Sequence, residues 1–164
     1  MLAISNPFHG FDMANIINYT TQIAVYKTVG EIQGILVDNG ADKIMFEYEG
    51  KQPVAIRFFI KTNGRDVLVF LPARPKAVQK VLENMKREKG SRMQVKPDFE
   101  QACRVAWRIV KDWIEAQMSM VQTEQAEFTE VFLPYLVDRS GRTLFEVMKD
   151  SNYMLPEGSG ERSE

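Results

Sequence analysis

Twelve lysines and arginines against three acidic residues fall between Lys51 and Lys96, and the chemistry of this tract is the easiest in the chain to name. Spaced ammonium and guanidinium groups neutralise phosphates and release condensed counterions, so the tract points to salt-dependent binding of DNA or RNA. The expected phosphate contacts are Arg57, Lys61, Arg65, Arg74, Lys76 and Lys80, with Lys86, Arg87 and Lys89 extending the surface. The competing account is a solvated helix face balanced by acidic segments elsewhere. Phe59 and Phe70, beside Arg57 and Lys61, are rings on which unpaired bases can stack. Their alternative is burial under the tryptophan-bearing segment that follows.

Residue types for catalysis are sparse. His9 is the only histidine and Cys103 the only cysteine, which leaves no Ser-His or Cys-His arrangement and no thiolate metal site within one chain. Glu47 and Glu49 could share a strand face and approach Mg²⁺, but no third ligand is evident. Gly30 and Gly34 fall in a helical pattern without the lysine of a phosphate loop. The expectation is a non-enzymatic protein with no cofactor and no catalytic or metal-binding residue.

The chain has 164 residues, 45% of them hydrophobic, enough for one domain with a real core. Charge is uneven: two basic and six acidic residues over 1–50, a surplus of nine positive charges over 51–96, then seven basic and thirteen acidic. A single cysteine, no apolar run long enough to span a bilayer and no signal-like N-terminus favour a reduced setting away from membranes.

These residues must be positioned by an α+β arrangement. Phe99–Val121 is the longest unbroken helical pattern, opened by Asp98 and Gln101 as a capping box, with an apolar arc too wide for one neighbour. A sheet or a second protomer must cover part of it. Gln117 lies near the middle of that arc, and Arg108 with Asp112 and Lys111 with Glu115 make i,i+4 pairs. Before it, 15–25 reads as extended, and Thr28 with Glu31 opens a short helix ended by Asn39-Gly40. Lys43–Glu49 alternates as a strand, with Ile44, Phe46 and Tyr48 on one side. Asn63-Gly64 predicts a two-residue hairpin that pairs Thr62 with Arg65, Ile60 with Val67, Phe58 with Val69 and Ile56 with Leu71. Pro75 opens a second helix with Val78, Val81, Leu82 and Met85 on its buried side, and Gly90–Lys96 reads as an exposed linker. A short helix before Pro134, a turn at Ser140-Gly141 and a capping box at Thr143 and Glu146 follow. The fold expected is a small antiparallel sheet of about three or four strands packed against a long central helix and shorter helices, spanning 15–150. Residues 1–14, where Met13 could be the natural start, are expected as a flexible arm and 151–164 as a flexible tail.

Glu100-Gln101-Ala102, Val105-Ala106-Trp107-Arg108-Ile109, Lys111-Asp112-Trp113-Ile114-Glu115-Ala116-Gln117 and Phe132-Leu133-Pro134-Tyr135 resemble a family of short proteins encoded by bacteriophages, prophages and related mobile elements. Asn18-Tyr19-Thr20-Thr21 and Thr28-Val29-Gly30-Glu31-Ile32 belong to the same resemblance. It implies a genomic setting and the cytoplasm of a bacterial host, and carries over no catalytic residue. The order helix, three strands, helix between Val29 and Lys89 also resembles the double-stranded RNA-binding domain, without that domain's lysine cluster. Two functions are expected: binding of nucleic acid through the basic hairpin and helix, or a protein-interaction module. The second would be a homodimer or an inhibitor of a host defence factor, using the central helix and the acidic C-terminal part.

Overall fold

A computed structural model of the chain describes residues 16–154. The elements are α1 (Val25–Asp38), β1 (Ala41–Glu49), β2 (Gln52–Thr62), β3 (Arg65–Pro72), α2 (Pro75–Lys89), α3 (Phe99–Gln122), α4 (Phe128–Phe132) and α5 (Leu144–Asp150). Short 3-10 turns occupy Gly90–Arg92 and Leu133–Tyr135. The expected arm over 1–14, with His9 and Met13, and the tail from 155 onward lie outside the described residues. No helix among the described residues is long and apolar enough to cross a membrane.

The sheet is antiparallel in the order β1-β2-β3, and the register of its β2-β3 pair follows from one turn. Asn63 and Gly64 have φ of +50° and +75°, the conformation that a two-residue hairpin turn needs to match strand twist. Thr62 therefore pairs with Arg65, Ile60 with Val67, Phe58 with Val69 and Ile56 with Leu71, as the turn predicts. The side chains of Ile56, Phe58, Ile60, Val69 and Leu71 make an inner face that is almost wholly buried. Arg57, Phe59, Lys61, Leu68 and Phe70 take the outer face by alternation.

The 24-residue α3 is covered on several sides. Cys103, Ala106, Trp107, Ile114 and Met118 join α1 and the inner sheet face in the main core, while Ala102 and Val105 join Leu82 and Met85 of α2 in a second cluster. Most of the wide apolar arc is thus covered within the chain, by the sheet, α1, α2 and α4, while Met120 stays exposed. The tryptophans do not lie over Phe59 and Phe70, as one reading of the sequence had it. Trp107 packs against Phe46 at 5.9 Å, and its indole N–H donates to the Pro53 carbonyl at 2.8 Å. Trp113 meets Phe132 and Tyr135 edge-on, each at 5.4 Å. The reason is the competing inner face: Ile56, Phe58 and Ile60 offer apolar surface without the charges of Arg57 and Lys61.

Several local expectations give way to tertiary partners. Residues 16–24 form no strand: Asn18 adopts φ of +63°, a turn runs over 17–20, and Gln101 donates to the carbonyls of Tyr19 at 2.9 Å and Thr21 at 3.0 Å. Those bonds take acceptors that a strand would need, and they also take Gln101 out of its expected capping box. Asp98 still caps α3, accepting from the Gln101 amide at 2.8 Å. Arg108 pairs with Glu31 of α1 at 2.6 Å instead of Asp112, which accepts from Asn18 at 2.8 Å. Lys111 and Glu115 do pair, at 2.7 Å. Gly90–Lys96 is not wholly exposed, because Met93 is buried against Leu82 and Met85.

The C-terminal part wraps the β3 edge. Phe132 stands edge-on to Phe58 at 5.9 Å, Leu136 bridges Val69, and the Val137 amide donates to the Leu68 carbonyl at 2.9 Å. Thr143 and Glu146 form the expected capping box of α5.

Thr28 is the clearest conflict. Helix α1 begins three residues before it, at Val25 with Ala24 as an N-cap that supplies no side-chain bond, so Thr28 sits inside the helix. Its hydroxyl is buried and has no hydrogen-bond partner. A buried hydroxyl left unsatisfied costs more than the isosteric methyl that could replace it. Thr28→Val is expected to raise stability by about 1 kcal/mol, read as a higher urea midpoint with an unchanged slope; a lower midpoint contradicts it.

Candidate nucleic-acid interface

The structure does not bring the nine expected contact residues to one surface: Arg57 and Lys61 lie on the outer sheet face, Arg65 beyond the hairpin turn, Lys76, Lys80 and Arg87 on one stripe of α2, Lys86 and Lys89 on another side of that helix, and Arg74 apart. Arg57 lies mid-strand on the outer sheet face, its Nε donating to Glu47 at 2.6 Å and its guanidinium 4.3 Å from the centre of the Phe70 ring. Lys61 is exposed on that face, paired across the hairpin with Asp66, and Arg65 is exposed beyond the turn. Lys43 of β1 joins them, with its ammonium 5.4 Å from the Phe59 ring. It lies outside the basic tract, but its place beside Met45 and Glu47 in the β1 alternation already marked its side.

On α2 the cations separate by helical angle. At about 100° per residue, Lys76, Lys80 and Arg87 fall within an arc of about 40°, and all three are exposed. Lys76 pairs with Glu49 at 2.6 Å, and Arg87 donates to Asn84. Lys86 and Lys89 turn another way. Lys86 donates to the Met93 carbonyl at 2.8 Å, and the Lys89 ammonium lies 5.3 Å from the Tyr19 ring. Together with Arg87 they also place positive charge in the last turn of α2, where it complements the helix dipole. Helix α2 packs on α3 while α3 covers the inner sheet face, so its exposed stripe and the outer-face cations Arg57 and Lys61 do not form one patch.

Arg74 stands apart. It is the N-cap of α2 at φ of +53°, an uncommon conformation for a residue with a side chain. It is exposed and lines a groove of about 200 Å³ with Phe70, Tyr135, Phe145 and Lys149. In that groove Glu146 is held below the usual carboxylate range, first by the Thr143 backbone and hydroxyl hydrogen bonds, with Arg142 and Arg74 adding to the effect. A second groove, of about 320 Å³, lies by the start of α1 and is lined by Tyr26, Tyr48, Lys51 and Arg104. Arg104 is already bonded to Glu100 and Gln101.

The residues considered for other chemistry are occupied. Glu47 goes to Arg57 and Glu49 to Lys76, with a register shift in β1 between Glu47 and Tyr48. No cluster of three or more His, Cys, Asp or Glu among the described residues is placed to hold a metal ion. Cys103 is buried in the main core, and burial, assisted by Glu49, pushes its thiol up from 9.0 to about 11. At neutral pH it is a protonated core side chain.

That raised thiol pKa sets a sign for stability. The protonated form is favoured by the fold, so the Cys103 contribution is constant below about pH 9 and is lost as pH rises towards about 11. Cys103→Ala should remove this alkaline limb from a urea-midpoint profile. Native protein at pH 8 should react with a thiol reagent orders of magnitude more slowly than protein in urea; fast native labelling contradicts it.

Comparison with protein-family models, with curated proteins and with solved structures gives no match to this chain.

Proposed function

We propose that this is a non-catalytic nucleic-acid-binding protein, of the phage or mobile-element setting that its central segment resembles, and that the exposed side of α2 makes its principal phosphate contacts. The observation that carries this reading is the alignment of Lys76, Lys80 and Arg87 on one solvent-facing stripe. At about 1.5 Å per residue the stripe runs about 16 Å, or about five nucleotide steps of one strand at 3.4 Å each. Lys80 is the central cation, exposed and one turn from Lys76, with the exposed Glu83 between it and Arg87. The anchoring side of α2, with Leu82 and Met85 buried, keeps the stripe rigid, so little side-chain and backbone order has to be lost on binding.

A second surface is favoured by one observation of its own: the outer sheet face keeps Phe59 and Phe70 half-buried under Lys43 and Arg57, with α5 bordering it at Phe70. Such rings suit stacking of unpaired bases, with phosphates at the rim. Strand preference distinguishes the two surfaces, because the stripe reads only backbone charge and the rings need an unpaired base.

The deciding experiment is binding to labelled single-stranded DNA, duplex DNA and duplex RNA across a salt series. Lys80→Glu with Arg87→Glu should lower the slope of log affinity against log salt on duplex by about 2 and weaken binding at low salt by at least about tenfold. The melting temperature should not move. Lys61→Glu, on the other surface, should act only on single strands. Unchanged affinity and slope in the α2 variant, or no binding by the wild-type protein at low salt, overturns the proposal.

A further inference from the structure

We infer that the exposed edge of β1 is a self-complementary pairing surface, and that its partner is the same edge of a second copy of this chain. This is independent of nucleic-acid binding. The two edges of the sheet are treated differently. The β3 edge is taken up by Leu136, bridged to Val69, and by the Val137 amide on the Leu68 carbonyl. Strand β1 pairs with β2 alone, and among the described residues no further backbone hydrogen bond reaches its other side. An open strand edge of nine residues is a template for another strand unless the fold guards against it.

The guard on β1 is charge, and the charges match under two-fold symmetry. Its pairing with β2 is irregular between Ala41 and Lys43 and again between Glu47 and Tyr48, which leaves Lys43–Glu47 as the regular stretch. Met45 is its midpoint and is 52% exposed. Lys43 and Glu47 lie two residues to either side, on the same face as Met45. An antiparallel pair of β1 strands related by a two-fold axis at Met45 sets Lys43 of each copy opposite Glu47 of the other, twice. It sets Met45 against Met45 and Ile44 against Phe46 of the second copy.

The other symmetric registers are poorer. An axis at Lys43 or Glu47 opposes like charges, and an axis at Ile44 puts Lys43 opposite Met45 and Asp42 opposite Phe46. An axis at Phe46 also sets Lys43 opposite Glu49, but that carboxylate is already paired with Lys76 at 2.6 Å, Met45 then faces Glu47, and the pairing reaches past the second irregularity. Within the chain both charges are already held on the outer face, Glu47 by Arg57 at 2.6 Å and Lys43 by the Phe59 ring. The charge that keeps foreign strands away therefore admits this one partner. The product is a continuous antiparallel sheet of six strands, three from each copy.

Sedimentation equilibrium of the full chain over a concentration series tests this. A monomer–dimer equilibrium is expected. Lys43→Glu and Glu47→Lys should each weaken it by about tenfold or more, and an equimolar mixture of those two variants should form a heterodimer at least as tight as the wild-type pair. Met45→Glu, which leaves both charges in place and puts two carboxylates face to face at the axis, should act like the single swaps while leaving the thermal unfolding of the dilute, monomeric protein unchanged. A monomer at every concentration overturns the inference. So does a dimer that ignores all three substitutions, or a mixture that forms no heterodimer.

Discussion

Helix α3 has more apolar surface than one neighbour can cover, and the rest of the fold is arranged to cover it. The indole of Trp107 is the fixed point. It is completely buried, and its N–H cannot be left unpaired there, so the Pro53 carbonyl at the start of β2 must come within reach. That bond ties the start of β2 to α3, and the packing of the main core fixes the rest. Phe46 and Phe58 then fall on the helix side, and the Arg57 face is turned outward. Helices α1 and α2 take the remaining arcs, the first adding an ion pair from Glu31 to Arg108.

What was legible in the sequence is what short-range chemistry decides. Asn63-Gly64 dictates its own turn, and the turn dictates every β2-β3 pair. Thr143 and Glu146 cap α5 because both partners lie within one turn. Thr28 and Glu31 carry the same local signal and fail, because Val25 and Val29 gain more by entering the core as part of a longer helix than the cap would return. Gln101 fails likewise: buried at 2% exposure, its amide is worth more on the distant carbonyls of Tyr19 and Thr21 than on its own helix end. Sequence distance hides both outcomes.

The basic tract shows the same division. Its charge count was plain, but a count cannot say which cations face solvent together. Lys86 and Lys89 are consecutive in spirit with Lys80, yet the helical turn directs them to Met93 and Tyr19, where they serve packing. Arg57 and Lys61 share the outer sheet face because strand alternation, not closeness in sequence, assigns the face. Lys43, distant in sequence, arrives beside Phe59 through β1-β2 pairing.

The segment before α1 carries a consequence for the order of assembly. Residues 16–24 have no helix or strand of their own, and their longest-range bonds end on α3, at Gln101 and Asp112. Those partners are eighty or more positions away in the chain, so the loop-closure entropy is lost before any of these bonds is made. The hairpin and α2 can form from neighbouring residues, whereas this strap has no surface to settle on until α3 stands. Such a strap is expected to settle late in folding and to open locally before the sheet gives way.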